Sequence, residues 1–127
     1  MTINWRRVAR DTLIVWLATV LGGLAVGFSF GLLGATQSPK LGVAIAFTNM
    51  VFGIVAFAIV GLLTRADRLR HLSVVVLASW LVNLLNVPLF GFTIGQWALS
   101  LPFLAVFMLI GCAIAWLISR FNRERAA

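Results

Sequence analysis

The chain has 127 residues, 62% of them hydrophobic and 10% charged, with a formal net charge of +7. Soluble domains carry about 25% charged residues, so this composition excludes a soluble globular fold and a disordered chain alike. One cysteine and one histidine exclude, within one chain, an internal disulfide, a multi-cysteine metal site and a two-histidine haem or zinc site.

The charges are segregated. Residues 12–39, 41–64 and 72–119 contain no Asp, Glu, Lys or Arg. A membrane span needs roughly 20 apolar residues, and the third stretch, 48 residues long, accommodates two. Nothing alternates at the period of two that a membrane barrel requires. The sequence therefore predicts an all-α, polytopic integral membrane protein, one domain of four transmembrane helices.

In chain order, the first helix is expected over about 12–34 and is too long for the apolar region of a secretory signal. Gln37, Ser38 and Pro39 form the turn after it. The second is expected over about 41–64, followed by a basic loop with Arg65, Asp67, Arg68, Arg70 and His71. The third is expected over about 72–90, with its break at Pro88, Gly91 and Gly95, strong local breakers. The fourth follows over about 96–119. This order reads as two antiparallel helix hairpins.

Orientation follows from loop charge. Arg6, Arg7, Arg10, Arg65, Arg68, Arg70, Arg120, Arg123 and Arg125 all fall on one side of four spans, and Lys40 falls on the other. Positively charged short loops stay inside, so both termini are expected in the cytoplasm. The arginine bias and the Gly and Ala content suggest a bacterial inner (plasma) membrane. Trp5, Trp97 and Trp116 lie at span ends, where interfacial anchors sit. The halves also match at an offset of 60: Arg10, Val15, Leu17, Ala18, Thr19 and Leu21 against Arg70, Val75, Leu77, Ala78, Ser79 and Leu81. Such a match is what a parallel internal repeat about an axis along the membrane normal would give, and also what chance often gives between apolar helices drawn from Leu, Val, Ala and Ile.

Three groups of residues are candidates for function. Thr19, Gly23, Gly27, Gly31 and Ala35 recur every fourth residue of the first helix. They form a ridge almost without side chains, the surface on which membrane helices approach closely. A weaker ridge, Gly111, Ala115 and Ser119, is its expected partner within the chain. The second group is Asn49, Ser79, Asn83, Asn86 and Gln96. These polar side chains fall at similar depth and either line a cavity or bond one another across helices, since hydrocarbon offers no partner. The third is the belt of nine arginines, which sets topology or binds anionic lipid. His71 is expected to be solvated within that belt, and Cys112 to be a small core residue.

An enzyme is not expected. Acid–base catalysis needs a positioned acid or base, and Asp11, Asp67 and Glu124 sit beside arginines at the boundary. No catalytic residue, metal, cofactor or nucleic-acid partner is predicted. Proton relays use buried Asp, Glu or His, which the predicted spans lack, so the chain departs from the small multidrug-resistance transporters and their embedded glutamate. Its layout, with a loose match over residues 81–89, is similar to the GtrA-like membrane proteins, associated with moving lipid-linked sugars. Their Asn-Arg-aromatic ending is not reproduced at residues 118–121. Two roles remain: an accessory or assembly subunit acting as a homo-oligomer or within a larger membrane complex, and a small transporter, channel or lipid-handling protein with an uncharged polar pathway.

Overall fold

The computed structural model describes residues 3–64 and 66–126. Asn4 starts the first helix: its side-chain oxygen accepts the Arg7 N–H at 3.2 Å, satisfying a backbone donor that the helix leaves free. From there α1 spans Trp5–Leu32. Gly34, at φ +64, closes it. The Ala35 N–H returns to the Phe30 carbonyl at 2.9 Å, a closure that needs left-handed backbone and so favours glycine. The second helix, α2, spans Lys40–Leu63. Asp67, at φ +48, makes the sharp turn into α3, Arg68–Val82.

Pro88 has no N–H to give to Leu84. The helix tightens just upstream into a 3₁₀ turn over Asn83–Leu85 and then resumes as the short α4, Asn86–Phe90. Gly91, at φ +70, ends α4. The last helix, α5, spans Ile94–Ala126 and opens with a reciprocal cap. Thr93 Oγ1 accepts the Gln96 N–H at 3.1 Å, and Gln96 Oε1 accepts the Thr93 N–H at 2.9 Å. Gln96 thus closes a Thr-x-x-Gln capping box, a local role not assigned to it from the sequence.

Four helical segments are long and apolar enough to cross a membrane: Trp5–Leu32, Lys40–Leu63, Arg68–Phe90 and Ile94–Arg125. No strand occurs among the described residues. α1 begins at Trp5 rather than near Thr12, and α5 continues through Arg120, Arg123 and Arg125. Arginine is a good helix former, so the helices outrun the apolar windows that mark a span.

The helices form a ring. α1 packs on α2 and α3, and α5 packs on α2 and α3. The core lies toward the arginine-bearing ends, with Val8 and Val15 of α1, Phe57 and Val60 of α2, Leu72 and Val75 of α3, and Leu104 and Met108 of α5. Its tightest seam joins α2 to α5. A methyl group on Gly53 would lie 2.9 Å from Phe107 Cδ2, one on Gly61 would lie 2.9 Å from Ala115 Cβ, and one on Gly111 would lie 2.7 Å from Phe57 Cβ and 2.8 Å from Ala58 N. Phenylalanine faces glycine at two steps and alanine faces glycine at the third, and the pairs advance together by one turn, so α2 and α5 run in the same direction. The small-residue ridge of α5 is therefore spent on α2 and is not the partner of α1.

At the far end of α3, Trp80 and Trp97 stack with ring centroids 4.2 Å apart. Each indole N–H donates to the other residue's backbone carbonyl, at 3.1 and 2.8 Å. Trp97 is thus a clamp between α3 and α5. Buried indoles need such partners, and stacked pairs add about 0.5–1.5 kcal/mol beyond area burial.

Candidate functional site

The arginine-bearing end holds a feature that sequence reasoning missed. Asp11 is fully buried. Its Oδ1 accepts from the Arg10 guanidinium at 2.7 Å, and its Oδ2 lies 2.8 Å from His71 Nε2. Asp11 was expected at a boundary beside arginines, and His71 was expected to be solvated. Because α1 is helical through this region, the carboxylate points into the α1–α3 contact instead of a loop. A buried carboxylate requires charged or hydrogen-bonding partners, and His71, with its side chain 15% exposed, supplies one. The two residues lie 60 apart in the sequence, and neither the apolar pattern nor the charge belt singles out their contact.

The other belt residues divide by what holds them. Arg68 donates to the Thr64 carbonyl and to Ser119 Oγ, both at 3.1 Å. Arg120 pairs with Glu124 at 3.0 Å and lies over the Trp116 ring, 5.6 Å from its centroid. Among the described residues, Arg6, Arg7, Arg70, Arg123 and Arg125 have no ion-pair partner. Arg65 lies outside the described residues. Among the described residues no three His, Cys, Asp or Glu side chains gather to hold a metal.

The second candidate is a cleft at the opposite end of the core. A cavity of about 430 Å³ is lined by Asn49, Asn83, Asn86 and Gln96 together with Thr19 and Ser100. A neighbouring cavity of about 280 Å³ shares Thr19, Asn49 and Asn86. Four of the five polar residues singled out in the sequence therefore converge. Ser79 does not: it is fully buried, outside the lining, and its hydroxyl has no partner. Asn86 Nδ2 donates to Asn83 Oδ1 at 3.3 Å, whereas Asn49 Oδ1 and Asn86 Oδ1 are buried without a partner. An unpartnered buried acceptor costs about 1–3 kcal/mol, so the cleft suits a ligand or water that donates hydrogen bonds.

The glycine ridge of α1 divides in the same way. A methyl group on Gly23 would lie 3.4 Å from Asn49 Oδ1, so Gly23 faces the cleft. Around Gly27 and Gly31 there is nothing within 4 Å. Ala35 lies past the Gly34 turn and outside the helix. Thr19 donates to the Val15 and Trp16 carbonyls of its own helix. The close approach to α2 uses Gly22 instead, where a methyl group would lie 3.1 Å from Thr48 Cγ2 and 3.2 Å from Phe52. Cys112 is half-buried and packs against the core. No family model matches the chain, and no curated protein or solved structure matches it.

Proposed function

We propose that this multi-pass membrane protein is a non-enzymatic accessory or assembly subunit that binds a second transmembrane helix along α1, in a homo-oligomer or a larger membrane complex. The observation that carries the reading is the empty space beside Gly27 and Gly31. Close approach and dispersion drive helix association in lipid, and this part of the ridge meets no neighbour among the described residues. Consistent with that, 11% of the α1 membrane window is buried, against 22–28% for the other three spans.

In this reading the helices form two hairpins related as parallel repeats, with the arginine belt in the cytoplasm at a bacterial inner membrane and both termini inside. The supporting observation is that the start of α1 and the turn into α3 line one cavity, while Arg68 of α3 reaches Ser119 of α5. The test is a gentle-detergent pull-down with native mass determination. Gly27→Leu is expected to abolish the complex while leaving the chain's own melting temperature unchanged. A complex that survives this substitution overturns the assignment.

A second reading is favoured by the unpartnered oxygens of Asn49 and Asn86. In it the cleft is an uncharged polar pathway or a lipid-handling site within an oligomer. Asn83→Leu would then abolish flux in liposomes with assembly intact, and would cost stability alone under the first reading.

A further inference from the structure

We propose that the cavity between the start of α1 and the start of α3 binds a phosphate group, carried by an anionic lipid headgroup or by a free phosphate. This inference does not rest on the assembly reading. The cavity measures about 150 Å³, space for roughly five waters at ~30 Å³ each. Drug-sized ligands occupy pockets of about 300–1,000 Å³, so the space suits a compact oxyanion.

Its lining is selective for charge. Arg7 comes from α1, Arg70 and His71 come from α3, and Asn4 and Thr64 add polar edges. Asp67 also lines it and is the one acid there among the described residues. Two guanidiniums against one carboxylate leave the cavity cationic before His71 is considered. Neither Arg7 nor Arg70 donates a side-chain hydrogen bond or pairs with a carboxylate among the described residues, whereas Arg10, Arg68 and Arg120 are all engaged.

The imidazole is held from behind. Buried Asp11 takes Nε2 at 2.8 Å, and Nδ1 makes no hydrogen bond among the described residues. A carboxylate behind a ring fixes its orientation, as supporting contacts do in preorganised sites. Arginine forks match phosphate oxygens bidentately. The cavity also sits at the end of two helices long and apolar enough to cross a membrane, the depth at which lipid headgroups lie.

The test uses the full chain in neutral detergent, titrated with phosphatidylglycerol and, separately, with inorganic phosphate, with binding read by native mass spectrometry. Arg7→Gln with Arg70→Gln should weaken binding by at least about tenfold. Arg123→Gln with Arg125→Gln removes the same formal charge from the belt outside the cavity and should change binding less than about twofold. Lipid binding that inorganic phosphate does not displace supports the site and assigns it to a headgroup; displacement supports the site with free phosphate as a sufficient ligand. Equal loss in both double variants, or loss in neither, overturns the proposal, because the belt would then act as diffuse charge.

Discussion

Two glycine-bearing seams with the same four-residue spacing meet opposite fates. On α2 and α5, Gly53, Gly61 and Gly111 lie where a methyl group would fall within 3 Å of a neighbouring atom. On α1, Gly27 and Gly31 have nothing within 4 Å. The first seam belongs to the packed half of the bundle, with Phe57, Leu72 and Val75 at its centre. The second runs past the cleft lined by Asn49 and Asn86 toward the Gly34 turn. A small-residue ridge therefore states that a backbone is approachable and leaves open what approaches it. The neighbour decides: Phe57 and Phe107 fill the hollows of the first seam, and no side chain of the described residues fills those beside Gly27 and Gly31.

This contrast can be broken most directly at Gly111. In Gly111→Ala the new methyl group meets Phe57 Cβ and the backbone at Ala58 and Ile54, and backbone cannot swing aside. Overpacking of this kind costs about 1–3 kcal/mol, and more where relaxation is blocked. A large fall in melting temperature in detergent is expected, and an unchanged one would mean that the seam is looser than these contacts require.

The middle-sized effect belongs to the buried pair. A double-mutant cycle of Asp11→Asn and His71→Gln should give a coupling energy of about 1–2 kcal/mol, within the range for contacting groups. A coupling near zero would mean that Arg10 alone satisfies the buried carboxylate. The smallest effect is expected at Gly27→Ala in the monomer. With open space around it, the substitution should move stability by less than about 0.5 kcal/mol, measured in the same detergent as Gly111→Ala. A loss as large as that at Gly111 would erase the distinction between the seams.

Sequence reasoning reached the four apolar spans because the signal is local: uncharged runs over 12–39, 41–64 and 72–119 cannot be solvated by water. It also located the break at Pro88 and Gly91, since a missing N–H and a left-handed residue act within one turn. It brought Asn49, Asn83, Asn86 and Gln96 to one depth, and depth along a helix is set by residue count alone. The convergence of these four on one cavity needed the neighbours in three dimensions, as did the exclusion of Ser79, which lies within the helix run yet off the lining.

The sequence by itself determined helix content, the number of apolar segments, the arginine-bearing helix ends and the turn residues, because each depends on contacts within a few residues. Only the tertiary structure decided which helix faces which. It gave the α5 ridge to α2, left Gly27 and Gly31 uncovered, and joined Asp11 to His71 across 60 residues. Those choices depend on how side chains from separate helices share volume and satisfy buried charge. That balance has no counterpart along a single helix.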